Sequence, residues 1–284
     1  MSDFTRIDQY IEDQLSLSLD ELGRLVAQPS VAAQNWGLIE CAALVSEMLK
    51  QRGFEVQIQS TAGAPVVYGE RMLPPGSPGA DKTLLIYNHY DVQPAKPLEL
   101  WDTPAFEPSL REGKLYGRGV SDDKGHLVSR LHAIDALLAT DGELPCNIKF
   151  IIEGEEEVSS IHLKEYIHEH AAQLAADACI WEFGGVDHRE APMQYLGLRG
   201  ICYIELSVET AEPVYGVPMQ VVPLTGGSGP NHPFIEILKV PVVSAGISYP
   251  GTKGHAPNEN IRIDLYVKGA KHIARIIKRF AAQE

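Results

Sequence analysis

Apolar residues recur along the chain with two spacings, one typical of helices and one typical of strands. Two amphipathic segments open the sequence, at residues 4–28 and 37–52, and Gly53 is placed to end the second. Apolar runs of strand length begin at Phe54, Ala64, Thr83, Cys146, Ala178, Met193, Ile201 and Val240. Helical spacing returns at about residues 123–139, 160–174 and 231–239, and in a last segment that carries Ile273, Ile276, Ile277 and Phe280.

This order of elements predicts an α/β fold. Apolar strands that alternate with amphipathic helices indicate a three-layer α/β/α sandwich, with helices on both faces of a largely parallel mixed sheet. The segment SLREGKLYGRG, from Ser109, predicts a hairpin that turns at Glu112 and Gly113.

The charge balance limits what the protein can bind. The 284 residues include 38 acidic and 24 basic side chains, a formal net charge of -14, and 44% of the residues are hydrophobic. We predict a single domain over residues 1–284, with a sizeable core. The negative balance argues against nucleic acid or a membrane surface as the main partner, because neutralising phosphate requires clustered Lys and Arg. A cation is the partner that such a balance favours.

The sequence also indicates a location. The first residues, MSDFTRIDQY, show no signal peptide, and no apolar run approaches the roughly 18 residues of a membrane span. The cysteines are widely spaced and form no C-x-x-C pair, which favours buried free thiols in a reducing compartment. We therefore expect a soluble, cytoplasmic protein.

Side chains that can bind metals follow the ends of several predicted strands. His89 and Asp91 close one strand, residues 155–157 are three glutamates after the next, and Glu182 closes a third. His255 follows the last strand. In an open α/β sheet, ligands bind at the carboxyl ends of the strands, so these residues can converge.

Imidazoles and carboxylates together suit a pair of divalent ions. A carboxylate that bridges two ions lowers their mutual repulsion, and Asp122, just before a predicted helix, can join the cluster. Any one of these acidic residues could simply be solvated. Three adjacent glutamates at the end of a buried strand, however, repel one another unless a cation or a proton intervenes.

Five ordered motifs carry a resemblance to a known family. NHYDVQP, LYGRGVSDDKG, EGEEEVSS, YLGLRGICY and GTKGHAPNEN resemble motifs of the co-catalytic zinc metallopeptidases, from about residue 20 to the end of the chain. That family includes acetylornithine deacetylase, succinyl-diaminopimelate desuccinylase, aminoacylase, glutamate carboxypeptidase and carnosinase. The likeness is greatest to the cytosolic dipeptidase and carnosinase branch, and it implies a zinc-exopeptidase-like catalytic domain.

The resemblance implies a set of metal ligands. His89 and Glu182 would bind the first ion, Glu157 and His255 the second, and Asp122 would bridge the two. The ions would be zinc, with manganese or cobalt as alternatives that His and carboxylate ligands do not distinguish.

The resemblance also implies the chemistry. Glu156 would be the general base that takes a proton from a metal-bound water, and Asp91 would fix the imidazole of His89. Glu153 and Glu155 would be structural or solvated. The implied reaction is hydrolysis of an amide bond in a short peptide or an N-acyl amino acid, without a covalent intermediate.

Two further motifs are candidates for contact with substrate. Gly227 and Ser228, in TGGSGPNHP, match the family's Gly-Gly-Ser segment, where backbone N–H groups could meet a carboxylate or oxyanion. An ordinary glycine turn is the alternative. Arg199, in LGLRG, is as compatible with a structural role as with a substrate contact.

The chain departs from the family at about residues 210–213. Relatives have a separate lid and dimerisation domain here, whereas SVETA continues at Ala211 almost directly into EPVYGVP. In the family this lid supplies a histidine that stabilises the oxyanion and usually forms the dimer interface. Its absence predicts a monomer with an intact metal centre and reduced or no activity.

Other functions remain open at this stage. A non-catalytic metal-binding scaffold predicts the same metals without turnover, and an N-acyl-amino-acid deacylase differs only in its substrate. A serine hydrolase could use Ser121 and Lys124 as an S-x-x-K pair, but the companion S-D-N and K-T-G elements are missing.

Overall fold

The computed structural model describes residues 4–195, 211–222 and 229–282. The strands in these ranges are β1 (Glu55–Gln59), β2 (Val66–Arg71), β3 (Thr83–His89), β4 (Ser109–Arg111), β5 (Lys114–Tyr116), β6 (Asn147–Glu153), β7 (Ala178–Trp181), β8 (Gly185–Val186), β9 (Pro192–Tyr195), β10 (Gln220–Val222), β11 (Val242–Ser244) and β12 (Asn260–Arg262). The helices are α1 (Thr5–Asp13), α2 (Leu15–Ala27), α3 (Leu38–Gln51), α4 (Lys124–Asp141), α5 (Leu163–Glu169), α6 (Glu212–Tyr215) and α7 (Ile263–Ala281). Short helical turns lie at Ala32–Gln34, Leu98–Leu100, Glu156–Val158 and Phe234–Leu238.

A six-stranded sheet in the order β1-β2-β6-β3-β7-β11 forms the centre of the fold. β6, β3, β7 and β11 are parallel, and β2 is antiparallel to both of its neighbours. The prediction of a largely parallel mixed sheet is therefore confirmed. His89 lies in register with Glu153, so β3 and β6 end side by side at the same edge.

Helices cover both faces of this sheet. Leu84 and Ile86 of β3 pack with buried residues of α1, α2, α3, α4 and α7, whereas Leu85 and Tyr87 pack with α5 and Phe234. Successive side chains of a strand point to opposite faces, so one apolar strand contributes to two cores. The sheet with its two helical layers is the predicted three-layer sandwich.

Helix α4 is buried on nearly all sides. The predicted apolar face is right, since Leu127, Leu131 and Ile134 are fully buried, but Lys124 and Arg130 are buried as well. Lys124 Nζ donates hydrogen bonds to the carbonyl oxygens of Leu25 and Gln28, at 3.0 and 2.6 Å. Burying these charges is tolerated because each of them meets several oxygen acceptors.

Several predicted boundaries differ from the structure. The segment 4–28 forms two helices because the chain leaves helical geometry at Gln14. Helix α5 is shorter than the predicted 160–174, since Ser159 and Ser160 have φ of 78° and 48° and the helix starts only after them. The predicted strand from Ile201 lies outside the described residues.

A second, three-stranded sheet contains the predicted hairpin. β4 and β5 pair around Glu112 and Gly113, both with positive φ, and β12 adds to the other edge of β5. β12 was not predicted, because its three residues are too few for a readable pattern. Its pairing brings the loop that contains His255 against the residues that precede α4.

Two remaining expectations can be compared with the described residues. There, no helix is both long and apolar enough to cross a membrane. Cys41, Cys146 and Cys179 are buried free thiols, as expected, and Cys202 lies outside the described residues.

Candidate metal centre

The predicted metal ligands meet at the carboxyl edge of the central sheet. His89 is the last residue of β3, Glu157 lies in the turn after β6, and Glu182 directly follows β7. Asp122 and His255 come from the loops before α4 and β12. The structure thus brings together residues that span more than half of the chain.

Asp122 lies between the two imidazoles. Its Oδ1 is 3.1 Å from His89 Nε2, and its Oδ2 is 2.8 Å from His255 Nε2. Glu182 Oε2 lies 3.7 Å from His89 Nε2, and Glu157 Oε2 lies 3.1 Å from His255 Nε2. The cluster therefore has two imidazole-carboxylate halves, and Asp122 contacts both of them.

Asp123 is also close to the first half. Its carboxylate lies near ligand atoms of His89 and Glu182, within 4.8 Å. Its oxygens are already engaged, however: Asn88 Nδ2 and the His89 N–H donate to Oδ2, and His126 Nδ1 is 2.9 Å from Oδ1. Asp123 thus anchors the end of β3 to the start of α4.

Two buried carboxylate oxygens without a hydrogen bond indicate whether the cluster suits a metal. Glu157 Oε1 and Glu182 Oε2 are shielded from solvent and accept no hydrogen bond from the described part of the chain. A buried acceptor without a partner costs about 1–3 kcal/mol, more when it is charged. Imidazole nitrogen and carboxylate oxygen are ligands that divalent zinc accepts. The residues present therefore fit divalent cations.

The imidazoles hold protons strongly in the metal-free cluster. Hydrogen bonds to Asp122 and Glu157 raise the pKa of His255 to about 10. Burial alone would lower the pKa of His89, but its hydrogen bonds to Asp122 and Asp91 outweigh burial and raise that pKa well above its usual value. Protons on these rings occupy the place of positive charge that cations would supply.

The pKa values of the carboxyl groups shift in different directions. Burial raises the pKa of Glu156 to about 7, and nearby acidic groups, including Asp122 and Glu157, add to this effect. Burial also raises the pKa of Glu182 well above its usual value. Burial acts on Asp122 too, but the hydrogen bonds and positive charges of the two histidines together outweigh it and lower the pKa of Asp122. Glu156 is thus poised to exchange a proton near neutral pH.

Asp91 links the first half of the cluster to the turn after β6. It is fully buried, and its two oxygens accept the N–H groups of Glu156 and Glu157, each at 3.1 Å. The Nδ1 of His89 is 3.0 Å from the backbone oxygen of Asp91 and 3.4 Å from its carboxylate. Asp91 therefore orients the His89 ring mainly through its main chain.

Other residues support the cluster and were given no role from the sequence. Gln93 Nε2 donates to Glu157 Oε2 at 2.9 Å, and Arg130 donates to the carbonyl oxygen of Glu182 at 2.7 Å. Glu259 is a fully buried carboxylate that accepts the Asp122 N–H at 3.0 Å. For Arg130, the sequence signal is a charged residue within a helix whose other positions follow an apolar spacing. Its contact with Glu182 could not be predicted from that signal.

The neighbouring glutamates are structural, as expected. Glu153 Oε1 accepts hydrogen bonds from Tyr87 Oη at 2.6 Å and Ser160 Oγ at 2.9 Å. Glu155 Oε2 lies 2.8 Å from His162 Nδ1. The candidate substrate residues Arg199, Gly227 and Ser228 lie outside the described residues.

Sequence comparison assigns the chain to a family. The model of Peptidase family M20/M25/M40 matches residues 85–279, which is more than half of the chain. A Cys-Gly metallodipeptidase of Schizosaccharomyces pombe is 30% identical over 217 residues, which cover 72% of this chain and 45% of the relative. A Beta-Ala-His dipeptidase of Mus musculus is 32% identical over 182 residues, which cover 61% of this chain and 37% of that relative. The chain belongs to Peptidase family M20/M25/M40, and its matches cover less than half the length of these relatives.

Solved structures show the same fold. An M20 family metallo-carboxypeptidase from Sulfolobus solfataricus superposes with a TM-score of 0.84 and 23% identity, covering 94% of this chain and 99% of that chain. A dipeptidase from Saccharomyces cerevisiae gives a TM-score of 0.87 with 18% identity and full coverage of both chains. At these identities the likeness establishes the architecture alone.

We predict that protein loaded with zinc contains about two ions per chain, and that the variant His255→Ala contains fewer. His255 contacts both Asp122 and Glu157, so its removal opens the second half of the cluster. Elemental analysis measures the content, with the exposed His188→Ala as the control. Equal content in parent and His255→Ala would contradict the assignment, as would thermal stability that is indifferent to chelator.

We also predict that zinc binding releases protons. An imidazole must be neutral to bind a metal, whereas His255, with its pKa of about 10, is protonated in the metal-free protein at neutral pH. Affinity should therefore rise with pH through the neutral range, about tenfold per pH unit for each proton displaced. Calorimetry in buffers of different ionisation enthalpy counts these protons, and His255→Ala should release about one fewer. Binding heats that do not depend on the buffer would disprove this.

Proposed function

We propose that this chain is the catalytic domain of a metal-dependent dipeptidase that hydrolyses the amide bond of short peptides. The observation that carries the proposal is Asp122 between two imidazoles, beside buried oxygens of Glu157 and Glu182 that accept no hydrogen bond from the described residues. Membership of the M20 family and relatives named as metallodipeptidases support it. The same names favour short peptides over N-acyl amino acids as substrates.

In this proposal each half of the cluster holds one divalent ion. His89 and Glu182 would bind the first ion, Glu157 and His255 the second, and Asp122 would bridge them. Contacts of Asp122 with both imidazoles, through different oxygens, support the bridging role. Zinc is the proposed metal, and manganese or cobalt would suit the same ligands.

Glu156 is the proposed general base. Its carboxylate is half-buried, and no hydrogen bond reaches that carboxylate from the residues that the structure describes. Its pKa, raised to about 7 by burial, matches the requirement that a base can both take and return a proton near neutral pH. Asp91 holds the Glu156 main chain in place.

The reaction then follows from the parts. When bound, divalent ions lower the pKa of a coordinated water and polarise the substrate carbonyl. Glu156 takes a proton from the attacking water and returns it to the nitrogen of the leaving amine. Asp91 orients both the His89 ring and the turn that carries Glu156, so it acts by positioning.

The proposal includes the absence of the lid domain. β9 ends at Tyr195, and α6 begins at Glu212, so the intervening residues are far fewer than the roughly 50 of a small domain. Ala211 is fully buried, and Tyr215 packs edge-on against His272 of α7, with ring centres 5.8 Å apart. Helix α6 is thus already part of the catalytic domain. Without a dimerisation domain we propose a monomer, in the cytoplasm.

We predict that Glu156→Gln lowers kcat for Cys-Gly or β-Ala-His by about 10²–10⁴-fold, because the proton then has no base to receive it. Metal content should stay unchanged, since Glu156 is not a proposed ligand. Ser121→Ala is the control: only Ser248 Oγ, at 3.3 Å, faces its hydroxyl among the described side chains, so turnover should persist. Turnover lost in Ser121→Ala and kept in Glu156→Gln would favour a serine hydrolase.

A second expectation concerns the missing lid. Losing one oxyanion donor costs about 10²–10³ in rate, so kcat should lie at least that far below that of a full-length relative assayed with the same metal and dipeptide. Metal content of the two proteins should match. If turnover is comparable, the proposed loss of activity is wrong. If no turnover is detected with two ions bound, the non-catalytic scaffold is the better description.

A further inference from the structure

A buried ion pair joins the two loops that carry Asp122 and His255. Arg118 Nη1 donates to Glu259 Oε2 at 2.6 Å, and each side chain is about 1% exposed. Arg118 lies in the loop before α4, and Glu259 precedes β12. An isolated buried carboxylate would be costly, so the pairing explains how Glu259 is tolerated in this position.

The Glu259 carboxylate also accepts three main-chain N–H groups of the loop before α4. Its Oε2 accepts from Gly119 at 3.0 Å, and its Oε1 accepts from Ser121 at 2.9 Å and from Asp122 at 3.0 Å. Hydrogen bonds from N–H groups to an ionised acceptor are among the stronger ones in proteins. One side chain therefore determines where the main chain of Asp122 lies.

The main chain of the same residue fixes the second loop. Glu259 O accepts the N–H of Gly117 at 3.1 Å, and Asn260 pairs with Tyr116 in the small sheet. His255 and Asn258, in the loop that precedes Glu259, have φ of 63° and 61°. A positive φ is unfavourable for a residue other than glycine unless surrounding contacts impose that backbone conformation. The contacts of Glu259 help to impose this conformation, in which His255 reaches Asp122.

We propose that Glu259 is a positioning residue of the metal centre, which sets the distance between Asp122 and His255 and thereby the affinity for the second ion. The inference rests on the proposed metal centre and on no property of the substrate. Residues that orient metal ligands typically change metal affinity by about 10–100-fold when they are replaced. The loss should be greatest for the ion held by Glu157 and His255.

The variant Glu259→Gln tests this with almost no change of shape. One oxygen remains to accept one pair of N–H groups, but the amide NH₂ then faces the other donors. Removing one partner of a buried pair also destabilises the fold, because Arg118 is left unpaired. The double variant Arg118→Met/Glu259→Gln removes the unpaired charge and separates the two effects.

A control ion pair makes no contact with the proposed metal ligands. Arg52 Nη2 donates to Glu21 Oε2 at 2.6 Å, a pair whose side chains are 8% and 16% exposed and which joins α2 to the end of α3. Arg52 also pairs with Asp135 at 2.7 Å, so Glu21→Gln removes one of its two carboxylate partners without touching the metal ligands. It reports how far metal affinity falls through loss of stability alone.

The experiment is zinc titration against a competing chelator, together with urea unfolding of the metal-free proteins. We expect the weaker zinc Kd to rise about 10–100-fold in Glu259→Gln and to stay high in the double variant, while Glu21→Gln keeps the parental Kd. A double variant within about threefold of the parental Kd would overturn the inference, as would an equal loss in Glu21→Gln.

The zinc titration tests the role of Glu259 separately from the proposed dipeptidase activity. A parent that binds two ions without hydrolysing dipeptides would disprove the dipeptidase and leave the role of Glu259 to be judged by the Kd values. A parent that binds no zinc would overturn both. A parent that hydrolyses dipeptides, with the same Kd in Glu259→Gln, would overturn only the role of Glu259.

Discussion

The repulsion among carboxylates at one edge of the sheet is the constraint on which the rest of this structure depends. Carboxylates gather there because parallel strands end side by side at this edge. Water screens them poorly, so each needs a positive or N–H partner. Arg118 pairs with Glu259, backbone N–H groups donate to Asp91, and the two imidazoles pair with Asp122. Two oxygens, one on Glu157 and one on Glu182, accept no hydrogen bond from the described residues, and divalent cations would complete the balance.

The groups that balance these charges also determine the geometry. Asp91 connects the end of β3 to the turn after β6, and Arg130 donates to carbonyl oxygens at the ends of β3 and β7. Glu259 connects the loop before α4 to the loop before β12. Each of these buried polar residues joins segments that are distant in sequence. These residues hold the proposed ligands in place at one edge of the sandwich.

In this arrangement the proposed metal centre is compatible with the proposed absence of a lid domain. Every proposed ligand comes from a strand end or loop of the sandwich, and α6 packs on α7. The metal site therefore requires nothing from a separate domain. Stabilising the oxyanion and excluding water are separate tasks, and in the family likeness they belong to that domain. Metal binding and turnover can thus be lost independently.

The sequence by itself determined the sandwich, the hairpin at Glu112 and the placement of polar residues at strand ends, because these follow from local periodicity. Which of those polar residues would bind metal was implied only by the family resemblance. The sequence did not predict β12, the start of α5 or the roles of Arg130 and Glu259. A three-residue strand has no readable period, and a helix start set by Ser159 and Ser160 depends on their positive φ. The role of a buried charged residue depends on its partners, and these can lie more than a hundred residues away, as Arg118 does from Glu259. Only the tertiary structure decided which charges pair, since pairing is a property of distance in space and not of spacing along the chain.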